Sequence, residues 1–329
     1  MREALRIIAG ELLLGLVGIL IIGALVAWYA GGELIDPVPR YIGHPPRTLS
    51  VANATFVNGL GTLVHGWVSH GNPGQGVILL LHGLHGDRRD MIPRAQFLSR
   101  LGYSVLLIDF QAHGESRAEH VSFGFRESRD VLGAIQYLQY TLPNEPIGVI
   151  GASLGADAFA LTRTHLPVDA VVLESMYTSV GEAVASRVRV HVGIFTPLFA
   201  PIMGMQVRAR LGISGDSEAI KDGMAHIGAP LLMLASSNDP STPLEEQRGL
   251  FAAASQPKEF WAVQGAGRGD LYEFAKGEYE RRVSAFLREH LKARAQPPGP
   301  SPGQPDESTR HGESRSADKP GSVKTGRSG

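Results

Sequence analysis

Six short apolar runs, over 77–81, 105–109, 147–150, 168–174, 230–235 and 259–263, constrain the fold of this chain more than any other feature. A strand covered on both faces reads as such a run, whereas a half-exposed strand alternates apolar with polar residues. Between most of the runs lie helical patterns, over 90–101, 125–140, 154–164, 243–254 and 279–291. Strand and helix in alternation predict an α/β fold with a mostly parallel central sheet flanked by helices. Two strand-like stretches upstream, 48–56 and 62–70, are joined by Gly-rich turn chemistry and read as an antiparallel pair. The series shows no internal repeat, so the 329 residues are expected to form one globular domain over 48–292.

The segments outside that rhythm set the remaining organisation. From Leu12 to Ala30 the chain is uncharged and mostly apolar, about the ~20 residues needed to cross a bilayer. Residues 1–35 are therefore expected to be an N-terminal anchor with its span at about 12–30, a cleaved signal peptide or a buried core helix being the competing readings. Glu11 must then sit at the end of the span, and Trp28 and Tyr29 suit the far interface. Arg2 and Arg6 before the span, with Glu33 and Asp36 after it, predict a cytoplasmic N-terminus and an exported domain. Four prolines within 36–47 predict a stiff extended linker. The interval 175–225 has no strand signal and contains an apolar, Met-bearing stretch at 195–207, which predicts a helical lid; a pair of packing helices is the plainer reading. Residues 293–329, rich in Pro, Gly, Ser and alternating charge, predict a disordered tail in which His311 is solvated.

Composition excludes several chemistries. The net charge is −1 and no basic stripe is interleaved with aromatics, so nucleic acid is not an expected partner. Cysteine is absent, which removes disulfides, thiolate nucleophiles and cysteine-ligated zinc. No cofactor is expected.

Chemistry enters at 147–156, an apolar run that ends in the small-residue turn Gly151-Ala152-Ser153-Leu154-Gly155 before a helical stretch. A serine hydroxyl becomes an exposed nucleophile on a sharp strand-to-helix turn, and such a turn tolerates only small neighbours such as Gly151 and Gly155. A second glycine-rich turn follows the first buried run at His82-Gly83-Leu84-His85-Gly86-Asp87. The amides of Leu84 and Leu154 are placed to form an oxyanion hole, where negative charge develops only as a tetrahedral state forms. His82 and His85, three apart without a nearby carboxylate helix, are a weak zinc signal, and no metal site is expected.

These residues resemble the α/β-hydrolase superfamily, in its serine-hydrolase branch of esterases and lipases. The resemblance rests on the His82-Gly83 turn, the segment Asp109-Phe110-Gln111-Ala112-His113-Gly114-Glu115-Ser116, the 151–155 elbow and Asn238-Asp239-Pro240-Ser241-Thr242-Pro243, and it spans about 54–291. It implies a triad in the order nucleophile, acid, histidine, with Ser153 as nucleophile and Asp239 as acid. Asp239 could instead cap the helix at 243, and Asp109 is the rival carboxylate, implied by the resemblance to be structural. Asp270 reads as a local turn residue. At the histidine position, in Gly265-Ala266-Gly267-Arg268-Gly269, stands Arg268. A guanidinium keeps its protons at any working pH and has no acceptor lone pair, so it cannot take the Ser153 proton. It should pair with Asp239 in the geometry arginine favours. His113, at the correct strand edge, and His191, in the lid, are the substitute bases to consider, whereas His226 and His290 read as surface residues.

Two functions remain open on this reading. One is a membrane-anchored serine hydrolase of apolar acyl or lipid-like esters whose turnover is impaired at Arg268. The other is an inactive descendant that binds an acyl ligand or a protein partner in the same pocket. A purely structural scaffold would leave Ser153 and its glycines unexplained.

Overall fold

The computed structural model describes residues 2–291, residue 215 excepted, so the expected tail at 293–329 lies outside the described residues. In chain order the elements are α1 (Arg2–Glu33), β1 (Val38–Pro39), β2 (Ala52–Val57), β3 (Leu63–Ser69), β4 (Val77–Leu81), α2 (Ile92–Arg100), β5 (Ser104–Ile108), β6 (His113–Gly114) and α3 (Glu127–Thr141). There follow β7 (Ile147–Ala152), α4 (Leu154–Ala160), β8 (Ala170–Glu174), α5 (Val180–Val192), α6 (Thr196–Leu211) and α7 (Asp216–Ala225). The chain closes with β9 (Leu231–Ser236), α8 (Leu244–Ala253), β10 (Lys258–Val263), α9 (Leu271–Phe274) and α10 (Lys276–His290).

Eight strands form one sheet in the order β10-β9-β8-β7-β4-β5-β3-β2, and β3 alone runs against the others. Each apolar run is one of its parallel strands. In β4 the side chains of Leu79 and Leu81 enter a core shared with α3, α4, α7 and α8, while Ile78 and Leu80 enter a second core with α2 and α10. Covering both faces removes any reason for polar alternation, which is why the runs are continuous. The chain leaves β4 toward β5 on one side and returns to β7 on the other. The crevice at this reversal, beyond the carboxyl ends of the strands, is where sheets of this kind receive ligands.

The packing adds detail to two of these segments. The lid interval 175–225 is divided in its packing: α5 and α6 form a cap with a core of its own, but Ile220 and Met224 of α7 lie in the main core against α4 and α8. The Pro-rich linker 36–47 is docked on the rest of the domain. Val38 and Pro39 pair in parallel with His113 and Gly114, the amide of Val121 donates to Ile35 O at 2.9 Å, and Ile42 is buried. Prolines set the extended backbone, and the unpaired edge at 113–114 captures it.

Candidate active site

The turn after β4 is closed by the Gly86 amide donating to Gly83 O at 3.0 Å. Inside it His82 donates from Nδ1 to Gly83 O at 2.8 Å and accepts the Phe110 amide on Nε2 at 3.1 Å. Both ring nitrogens are thus committed, and burial lowers the imidazole pKa to about 4. A Cβ built on Gly83 would stand 3.6 Å from Ser153 Cβ, so this turn lies directly against the serine.

Ser153 occupies the junction of β7 and α4 with φ 50° and ψ −115°, a backbone conformation that L-residues rarely adopt. Its amide donates to Glu174 O at 2.8 Å, and its carbonyl accepts the amides of Ala156 and Asp157 at 2.9 and 3.0 Å. Two close approaches explain the glycines around it. A Cβ on Gly151 would meet the backbone of Gly155 and Ala156 at 2.8 Å, and one on Gly155 would meet Leu81 O at 2.5 Å. Leu154 is the first residue of α4, so its amide has no intrahelical acceptor. Among the described residues the Leu84 amide also has no acceptor. The serine opens into a cavity of about 460 Å³ whose walls include Gly83, Ala152, Arg94, Glu174 and Asp270.

The loop after β9 carries Asp239, 6% exposed, whose carboxylate accepts the Ser241 amide at 2.8 Å and the Thr242 hydroxyl at 3.0 Å. The cap position of α8 is taken by Pro243, so Asp239 is not the helix cap. The loop after β10 carries Arg268. Its Nη1 lies 3.8 Å from Asp239 Oδ2, while Nη2 donates to the Tyr177 hydroxyl and the guanidinium stands 5.4 Å from the centre of the Tyr177 ring. Arg268 therefore pairs with Asp239 as an ion pair at 3.8 Å, without the two direct hydrogen bonds of an arginine–carboxylate fork.

A second guanidinium borders the site from the cap. Arg187 of α5 donates to Leu84 O at 3.2 Å, and burial, reinforced by the Arg268 charge, lowers its pKa. His113 sits at the expected strand edge, but Nδ1 donates to Gln111 O at 3.0 Å and Nε2 accepts the His85 amide at 3.2 Å. Burial lowers its pKa to about 3. His191 belongs to α5, and its side chain lies outside what is described. Among the described residues no imidazole is hydrogen-bonded to the Ser153 hydroxyl.

Ser153 at the crevice between two glycine turns, with Asp239 on the loop after β9, is the arrangement to set beside known proteins. A sequence profile described as serine aminopeptidase, S33, matches residues 72–214, a segment that contains both glycine turns and ends before Asp239 and Arg268. An esterase of Pyrococcus furiosus superposes with a TM-score of 0.66 at 21% identity, over 78% of this chain and 98% of the esterase. The chain has the α/β-hydrolase fold. Among related sequences, the lysophosphatidylserine lipase ABHD12 of Macaca fascicularis is 27% identical over 191 residues, 56% of this chain and 46% of the lipase. The chain thus spans about half the length of that relative. An uncharacterized protein of Mycobacterium tuberculosis is 28% identical over 214 residues, 64% of this chain and 69% of its own length.

The hydrolase fold also holds a buried ionic group that sequence reading missed. Arg94 of α2, 1% exposed, donates to Glu174 at 3.1 and 2.6 Å and to Asp270 at 2.9 and 2.6 Å. The Tyr279 hydroxyl donates to Glu174 at 2.5 Å. Asp270 is therefore more than a turn residue: it caps α9 and holds Arg94 at the wall of the cavity that Ser153 lines. No spacing rule connects positions 94, 174, 270 and 279, and a lone Arg in an amphipathic helix reads as a solvated face.

Proposed function

We propose that this protein is a membrane-anchored serine-hydrolase-type α/β-hydrolase for carboxylic esters of apolar acyl groups, with turnover impaired because Arg268 stands where the general base belongs. The carrying observation is Arg268 beside Asp239 and Tyr177, at the end of β10, in the order nucleophile, acid, base. In the working cycle of such a site, Ser153 Oγ attacks the acyl carbon, its proton passes to an imidazole, and the Leu84 and Leu154 amides hold the oxyanion. Among the described residues no imidazole is hydrogen-bonded to Ser153 to receive that proton, and on this reading the oxyanion hole and binding supply what rate remains. Loss of a triad member costs roughly 10⁴- to 10⁶-fold in turnover. The name of the ABHD12 relative puts lysophospholipid acyl esters among the substrates to assay. The apolar window Gly10–Glu33, with mean hydropathy 2.5, supports the anchor. Arg2 and Arg6 before it support a cytoplasmic N-terminus with the hydrolase domain on the exported side.

Arg268→His tests this reading on short and long acyl esters beside a Ser153→Ala control. The expected result is a gain of about 10²-fold or more in kcat, the usual contribution of a positioned general base. Rapid fluorophosphonate labelling of Ser153 in the unaltered protein at neutral pH would overturn it. The second reading, a non-catalytic binder of an acyl ligand or partner, is favoured by the Arg268–Tyr177 hydrogen bond, which ties the base position into the cap. It predicts no gain from Arg268→His and equal rates for the unaltered protein and Ser153→Ala.

A further inference from the structure

The cap does not bury its own apolar surface. Val190, Ile194, Phe195, Leu198, Ile202 and Met205 are 43–87% exposed, and outside α1 no comparable cluster of exposed large apolar side chains occurs among the described residues. Monomeric soluble domains rarely leave such a patch to water. The patch adjoins α1. A Cβ on Gly31 or Gly32 would stand 2.6 Å from the side-chain ends of Gln206 or Arg210, so small residues at the end of α1 admit the C-terminal half of α6. Arg210 stacks on Trp28, its guanidinium 4.2 Å from the ring centre. A cation on a tryptophan suits the membrane–water interface.

Across that level, α1 and the cap separate around a groove of about 660 Å³, within the ~300–1,000 Å³ usual for small-molecule sites. Its walls are mainly apolar, among them Val26 and Ala30 of α1 and Val188, Val192, Phe199 and Met203 of the cap. The wall reaches Gly23, five residues or about 7.5 Å deeper than Trp28 at 1.5 Å per residue. His85 and Arg187 also line it, and Arg187 donates to Leu84 O in the turn beside Ser153. Glu33 of α1 is the other charged group on the lining.

Resting on the membrane-anchored reading above, we propose that the cap dips into the leaflet around the Trp28 end of α1 and that the groove is an acyl-chain site filled sideways from the bilayer, with the lipid's polar end toward Arg187 and the Leu84 turn. One wall of the groove is the anchor itself. A chain lying in it exchanges lipid contact for Val188, Phe199 and Met203 without crossing water, which removes the desolvation that a soluble hydrolase meets when it extracts a lipid.

The chain has no cysteine, so single cysteines report cleanly. Full-length protein in phosphatidylcholine vesicles would carry a fluorophore at Ile194→Cys, Leu198→Cys or Ile202→Cys, with Leu16→Cys for the anchor and Tyr140→Cys for the far surface. Doxyl-labelled lipids are expected to quench the three cap positions and Leu16→Cys, and to spare Tyr140→Cys. Quenching at Leu16→Cys alone overturns the cap placement and leaves the anchor standing; no quenching at Leu16→Cys overturns both. A phospholipid bearing a diazirine on its acyl chain should then crosslink to the Val188, Phe199 and Met203 wall. Filling the groove from either side, with Ala27→Phe or Met203→Trp, should reduce that crosslinking about tenfold while cap quenching persists. Undiminished crosslinking in both variants would show that the groove does not hold the chain. None of these readings depends on turnover.

Discussion

At the scale of single residues, Arg268 and His113 are withdrawn from proton chemistry in opposite ways. Arg268 cannot give up its proton, whereas His113 cannot take one without losing the His85 amide that its Nε2 accepts. Buried among His82, Phe110 and the 111–114 backbone, His113 stays neutral in the fold down to about pH 3, against an ordinary value of 6.5. Below pH 6.5 the unfolded chain therefore binds a proton that the folded chain refuses. The stability held by the neutral ring is complete above 6.5 and is lost as pH falls, by about 1.4 kcal/mol per pH unit. Denaturant melts of the unaltered protein and His113→Gln should show a difference that shrinks at about that slope between pH 6.5 and 4.5. A pH-independent difference would mean that His113 accepts a proton in place.

At the scale of elements, the elbow works because α4 can press against β4. The contact is Gly155 on Leu81, where an added Cβ would meet backbone oxygen at 2.5 Å, and Gly83 across the crevice has only an ordinary contact at 3.6 Å. Gly155→Ala must move α4 and Ser153 with it, at a cost of about 1–3 kcal/mol, the usual price of overpacking. A thermal melt comparing it with Gly83→Ala checks this, and equal melting temperatures would count against the close approach. The same two turns were legible in sequence because glycine spacing and apolar runs are local signals. The parallel strands were legible to within a residue or two for the same reason. What escaped was decided at a distance. Nothing in 36–47 announces that His113 and Gly114 offer it an edge to pair with. The period of α7 cannot say whether Ile220 and Met224 face the cap or the main core. The Arg268–Asp239 pair was legible from side-chain chemistry, but the hydrogen bond from Arg268 to the Tyr177 hydroxyl, 91 residues away, was not.

At the scale of the whole molecule, the serine rests on a buried ionic tie between distant parts of the chain. Arg94 links α2 to the end of β8 and to the loop after β10, across sequence separations of 80 and 176 residues, and Tyr279 joins from α10. Burial alone would raise Asp270, but the hydrogen bonds and charge of Arg94 bring it below the ordinary carboxylate value. Glu174 belongs to the tie through its side chain and, through its carbonyl, holds the Ser153 amide at 2.8 Å. The strained serine is thus fixed to a group that unites both ends of the domain, which is how an unfavourable backbone conformation persists. Breaking the tie from one side should be costly, since Arg94→Met leaves Glu174 buried with uncompensated charge. The expected loss is about 3–5 kcal/mol in a denaturant melt. Arg281→Met, which removes a solvent-exposed pair with Glu278, should leave the melt unchanged. The triple change Arg94→Met, Glu174→Gln, Asp270→Asn removes all three charges together and should recover part of the loss. If the triple variant is no more stable than Arg94→Met, the damage lies in lost stacking of the guanidinium on Tyr272 and Tyr279 rather than in stranded charge.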